Sequence, residues 1–177
     1  MQFTFETNYN QKTLSVMAKC IRKIARKAKS KRSHLFGWIV VALALFLSFV
    51  SGEEGFVIDG KKILTWMVAA IIVITLFFED YINGYFAKKR LLKGTEKAAS
   101  VFDTAADTFT SETAVGKSEF TYDRIMHIAE TDDYFVFIFS ENHAQIYDKK
   151  SCTGGSIEEF KRFLSEKTGK PVVTVKG

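Results

Sequence analysis

Three residue types that build chemistry or constrain a chain are scarce: 177 residues include one proline, two cysteines and three histidines. A single proline beside 47% hydrophobic content excludes a collagen-like or disordered chain. Cys20 and Cys152 have no metal-ligand spacing and set no disulfide framework, which points to a reducing compartment. None of His34, His127 and His143 has a second His, Cys or carboxylate at ligand spacing, so neither a metal nor another cofactor is expected. Acid is scarce in one half only. Residues 1–97 carry 16 basic and 7 acidic side chains, net +9, whereas residues 98–177 carry 9 and 13, net −4. The overall charge of +5 and the pI near 9.1 therefore describe no single basic domain, and nucleic acid is not an expected partner. A mean hydropathy of +0.01 averages equally unlike parts.

What is present is apolar sequence in two long runs. Residues 35–51 (LFGWIVVALALFLSFVS) and 63–78 (ILTWMVAAIIVITLFF) contain no charge. As helices they would extend roughly 24–26 Å, a little short of the ~30 Å hydrocarbon core of a bilayer. Extending the first to Gly52 and the second through Tyr81, Ile82, Tyr85 and Phe86 closes the gap, giving spans of about 35–52 and 63–86. Thirty-four residues precede the first run, which argues against a cleaved signal peptide. Cations flank the pair on one side: Lys19, Arg22, Lys23, Arg26, Lys27, Lys29, Lys31 and Arg32 before it, then Lys88, Lys89, Arg90, Lys93 and Lys97 after it. The connector at 52–62 holds only Lys61 and Lys62 beside Glu53, Glu54 and Asp59. Positive charge stays inside, so the expectation is a two-span hairpin with both termini cytoplasmic and a short extracytoplasmic turn. Glu79-Asp80, at the edge of the second run, reads as an interfacial pair beside the aromatic residues Tyr81 and Tyr85.

The first 34 residues combine a short alternating strand, QFTFE, with an amphipathic helix. Leu14, Met17, Ala18, Ile21, Ile24, Ala25 and Ala28 recur at helical spacing, opposite the Lys/Arg cluster. Such a helix fits either the anionic inner leaflet, each cation adding on the order of 1 kcal/mol, or the flank of a cytoplasmic domain. From about residue 98 the period changes to two. VFDTAA, DTFTSETA, KSEFTY, IMHIAET, YFVFIFS and HAQIYD read as five or six antiparallel strands, with 134–139 buried on both faces. Ser156 caps a closing helix whose stripe is Ile157, Phe160, Phe163 and Leu164, and Gly169-Lys170-Pro171 stops it. Residues 172–175 would add an edge strand. The expected fold class is an α+β membrane protein: basic strand and helix (1–34), hairpin (35–97), and a cytoplasmic sheet domain (98–177) closed by a C-terminal helix.

Three local patterns in the last part carry a resemblance. Phe120, Tyr122 and Ile125 form (F/Y)-x-Y-x-x-I, Asp132, Asp133 and Tyr134 precede the most apolar strand, and Lys149, Lys150 and Cys152 precede the last helix. With the order strand–helix, hairpin, sheet, helix, these resemble the YcxB-like family of bacterial membrane proteins, most closely over 108–164. The chain departs from that pattern at Tyr147-Asp148, where a proline often precedes the basic pair. The resemblance implies a fold like the pleckstrin-homology (PH) type, placed at a bacterial inner membrane, and implies no enzymatic activity.

Catalytic chemistry finds little support in the residues. Cys152 lies near Lys149 and Lys150 but has no placed base. Asp132-Asp133 and Glu158-Glu159 are adjacent carboxylates that point different ways on a strand or helix. Lys149, Lys150, Lys161 and Arg162 gather near one strand–helix corner, where they could meet phosphate or an acidic partner. The expected function is a non-enzymatic module offered to a protein partner, a second copy or anionic lipid headgroups. The rival is a small immunity or stress-resistance protein directed at a membrane-active toxin or peptide.

Overall fold

The computed structural model describes residues 1–50 and 58–176, so the connector expected at 52–62 lies outside the described residues up to position 57. Alternation in the first strand, β1 (Gln2–Asn8), puts Phe3, Phe5 and Thr7 on one buried face. Its partner is ninety residues away. β1 pairs antiparallel over its full length with β2 (Lys97–Asp103), Gln2 opposite Asp103 and Asn8 opposite Lys97. β3 (Thr108–Thr113) and β4 (Gly116–Thr121) complete a sheet of order β1-β2-β3-β4. A second sheet contains β5 (His127–Glu130), β6 (Tyr134–Ser140), β7 (His143–Asp148) and β8 (Val172–Thr174), in the order β7-β6-β5-β8. Every pairing is antiparallel except β5–β8, which is parallel because a helix returns the chain between them.

That helix, α5 (Ile157–Thr168), closes the domain. Ser156 and Glu159 cap its start reciprocally, and Gly169 ends it in the left-handed conformation. Phe160 is fully buried and meets Phe3, Phe5, Phe102 and Phe135 at ring-centroid distances of 4.6–5.5 Å. The core between the sheets is therefore a phenylalanine cluster to which the N-terminal strand contributes two rings. Each buried ring contributes about 1.5–3 kcal/mol. The sequence expected a meander confined to 98–177; the domain is instead discontinuous, because β1 pairs with β2 along its length and Phe3 and Phe5 pack on Phe160, with Phe5 also on Phe102.

The four remaining helices link the two parts of that domain. α1 (Gln11–Lys23) starts at Asn10, which is reciprocally capped with Thr13, and ends where the Arg26 amide bonds back to the Ile21 carbonyl. It therefore stops short of Ala28, and α2 (Lys27–Phe49) begins separately. The apolar stripe of α1 covers the outer face of the second sheet: Cys20, Val16, Met17, Ile21, Ile24 and Ala25 pack with Ala129, Val136, Ile138 and Ile146. Of the two faces left open by the periodicity, the stripe meets protein.

α2 and α3 (Gly60–Phe77) are long and apolar enough to cross a membrane. They pack on each other, with Trp38 against Phe77 and the Trp66 indole N–H donating to Ser48 Oγ at 2.8 Å. Thr65 and Thr75 donate to carbonyls four residues back, so their hydroxyls are satisfied within the helix. The second run is not one straight helix through 86. It breaks at Phe78, and α4 (Glu79–Arg90), which carries Tyr81, Ile82, Tyr85 and Phe86, packs on α1. The break falls where the apolar run meets Glu79 and Asp80, whose carboxylates reach Arg22 on α1 and His34 on α2.

Candidate functional site

The basic corner is divided among internal partners. Lys149 and Lys150 lie in the short 3-10 turn after β7, and Lys161 and Arg162 on the second turn of α5. Lys149 Nζ donates to Glu130 Oε1 at 2.7 Å and to the Thr131 carbonyl at 2.6 Å, and rests 4.9 Å above the Phe135 ring. Lys161 Nζ reaches the other oxygen of the same carboxylate at 2.5 Å. Burial alone would raise the Glu130 pKa. The hydrogen bonds and positive charge of the two lysines outweigh it and leave the group below the usual glutamate range. Lys150 shares Asp133 with Lys12 of α1, at 3.2 and 3.4 Å, and these cations lower the Asp133 carboxyl. Arg162 is exposed beside a shallow pocket of about 330 Å³ that also includes Glu159 and Glu166. The four cations thus do not form one open anion site. Sequence reading missed Glu130 and singled out Asp133 without its lysines, because these partners lie up to 121 positions away and leave no local pattern.

Cys152 is half-buried, and burial pushes its thiol up, the opposite of nucleophile activation. Lys149 and Lys150 turn to carboxylates rather than to its sulfur, whose recorded contact is the Gly155 carbonyl at 3.9 Å. Cys20 is fully buried between α1 and the second sheet, and burial pushes it up to about 12. His143 stacks on Phe139 with centroids 5.0 Å apart. Among the described residues no group of three His, Cys, Asp or Glu side chains could hold a metal ion.

Charge is concentrated instead where α1, α2 and α4 meet. Arg22 binds Asp80 through two bonds of 2.6 Å, Nε to Oδ1 and Nη2 to Oδ2, a bidentate clamp between α1 and α4. Those bonds raise the arginine further. Glu79 lies 3.6 Å from the same guanidinium and 2.7 Å from His34 Nε2 on α2. One carboxylate pair thereby ties three helices. Arg26 reaches Asn142 in the β6–β7 turn, and Lys29 stands 4.0 Å from Glu141 there. Beside these contacts lies a cavity of about 570 Å³ with Met17, Ala18, Ile21 and Phe86 on its apolar side and Arg26 and Arg90 on its polar side. Lys19 is half-exposed, Lys23, Lys27, Lys31 and Arg32 are exposed, and Lys88, Lys89 and Arg90 end α4, with Lys89 Nζ 4.7 Å over the Tyr85 ring.

Taken together, the chain is an α+β protein in which a discontinuous two-sheet domain is braced against a pair of long apolar helices. Residues 105–164 match the family model described as YcxB-like protein, so the stretch from β3 into α5 is YcxB-like. The motif residues Phe120, Tyr122, Ile125, Tyr134, Lys149 and Cys152 all lie inside that match. It leaves out β1 and β2, the strands that complete the first sheet. No curated protein and no solved structure gives a significant match to the chain.

Proposed function

We propose that this protein is a non-enzymatic, two-span component of a bacterial inner membrane. Both termini are cytoplasmic, and its PH-like module is held at the membrane face for a protein or anionic-lipid partner. The observation that carries this reading is the surface of α2 and α3. Leu35, Phe36, Phe46, Leu47, Ile63, Leu64, Ile71, Ile74 and Phe77 are all exposed, and only 11% and 6% of the two apolar windows are buried within the protein. A core helix of a water-soluble domain would be mostly covered, and an apolar surface of this extent calls for lipid. The cations at the α1–α2 corner and at the end of α4 favour the cytoplasmic assignment. Two four-stranded sheets with an amphipathic helix across their opening support the PH-like reading.

The use of the polar chemistry supports a binding role. Glu130, Asp133, Glu79 and Asp80 are engaged in ion pairs that join elements, and Cys152 is not activated. β4, by contrast, is an edge strand whose first four residues are exposed and which, among the described residues, pairs only with β3, leaving one backbone edge for a partner. Photocrosslinking in membranes from Lys117 and Glu119 on β4 tests this. Discrete adducts are expected; adducts no different from those of an unrelated two-span protein would contradict it.

A further inference from the structure

We infer that a groove where the α1–α2 corner meets β8 is a binding site for the phosphate headgroup of an anionic phospholipid. The inference rests on the membrane reading above and names a ligand for it. The groove encloses about 770 Å³ and is lined by Arg22, Lys23, Lys27, Lys31, His34 and Lys176, with residues 173–175, the end of β8 and the residue after it, along one side. Among the described residues no Asp or Glu side chain lines it.

The six groups are not equivalent. Arg22 and His34 are held by Asp80 and Glu79, which fixes the floor of the groove. Lys23, Lys27, Lys31 and Lys176 are exposed and have no carboxylate partner among the described residues, while the lysines of the strand–helix corner do. Lys23 makes one long contact, 3.5 Å to the Lys176 carbonyl, which draws the C-terminal segment to the corner. Lys27, Lys31 and His34 recur every four and three residues, so they share one face of α2. β8 is the edge of its sheet, and alternate amides of an edge strand point outward as phosphate donors.

Depth favours a lipid over a free anion. The apolar run begins at Leu35, so along the helix Lys31 lies roughly 6 Å and Lys27 roughly 12 Å from it. The headgroup layer is about 5–8 Å thick on each side of the hydrocarbon. Lys31 therefore sits within that layer, and Lys27 lies roughly 4–7 Å beyond it, a distance that a lysine side chain can reach back across. A phosphodiester between them keeps its acyl chains beside the exposed residues Leu35 and Ile39, a geometry that a soluble phosphate does not need.

The test uses the full chain, extracted from carbonate-washed membranes into neutral detergent, and follows thermal unfolding during titration with phosphatidylglycerol, phosphatidylcholine or inorganic phosphate. We expect stabilisation by phosphatidylglycerol alone. In Lys27→Gln/Lys31→Gln its midpoint should rise roughly 30-fold. Lys97→Gln/Arg124→Gln, which removes the same charge from exposed positions outside the groove, should leave it unchanged. Equal effects of the two double variants, or no phosphatidylglycerol response, would overturn the site. A response to inorganic phosphate of similar strength would reassign it to a soluble anion. If the chain leaves the membrane on carbonate washing, the membrane reading itself fails. Should the Lys27/Lys31 variant unfold before titration, Lys176→Gln, outside any helix, is expected to weaken the response in the same direction, and an unchanged midpoint there would count against the site.

Discussion

At Glu130 a carboxylate with a side-chain exposure of 14% collects Lys149 from a turn and Lys161 from α5, which pins the helix to the second sheet. Its folded-state pKa is lowered, so the stability it contributes is complete above the usual glutamate range and is lost as pH falls through the folded value. We expect Glu130→Gln to lower stability by about 1–2 kcal/mol at pH 7. The gap to wild type should close as both are titrated below that range; a gap constant between pH 7 and pH 3 would refute this role. At Arg22 the clamp on Asp80 is partly buried, with side-chain exposures of 24% and 21%. Asp80→Asn should cost about 1.5–3 kcal/mol in thermal unfolding in detergent, whereas Asp132→Asn, on an exposed turn, should cost less than about 0.5 kcal/mol. Neither cluster was legible in the sequence. Glu130 finds its lysines 19 and 31 positions away and Asp80 its arginine 58 away, distances at which residue spacing carries no signal.

Elements were far more legible than their partners. Alternation located the strands from β2 to β7, and helical spacing with Ser156 and Gly169 bounded α5. Local periodicity registers which face of a segment is apolar, but not what covers it, which is why the stripe of α1 fitted lipid and protein equally well. Two glycines show where elements touch. A Cβ at Gly84 of α4 would stand 2.2 Å from Ser15 Oγ and 2.7 Å from the Ser15 amide nitrogen, so α1 and α4 meet backbone to backbone. Gly84→Leu should force them apart at a cost of about 1–3 kcal/mol, read as a lower midpoint of thermal unfolding in detergent. A variant as stable as the wild type would show that the close approach is dispensable. Gly154 has φ +90° and lies against the Gln2 carbonyl, where the loop before α5 crosses β1 and Thr4 exchanges two 3.0 Å backbone bonds with Thr153. Both strain and collision weigh against a side chain there.

At the scale of the whole molecule, the long apolar pair is inserted into a domain that begins at residue 2 and resumes at residue 97. Composition and hydropathy located the two apolar runs and the charge asymmetry between halves. They could not reveal that β1 and β2 are neighbours, because that pairing closes only once the hairpin has returned the chain. A fragment of residues 98–177 lacks β1 and should therefore remain unfolded. A chain joining residues 1–26 to 97–177 through a flexible linker should give a cooperative thermal transition and dispersed amide resonances. Cooperative unfolding of the shorter fragment would show that Phe3 and Phe5 are accessories to the core rather than part of it.

The most direct measurement concerns sidedness. In a Cys152→Ser background, where the remaining thiol Cys20 is buried and raised to about 12, single cysteines at Lys61 and Ser118 are exposed to a membrane-impermeant maleimide on intact spheroplasts. If α2 and α3 form a membrane-crossing pair with the sheet domain inside, Lys61→Cys reacts at once and Ser118→Cys only after permeabilisation. Equal labelling of both before permeabilisation, or protection of both until it, would contradict a two-span hairpin.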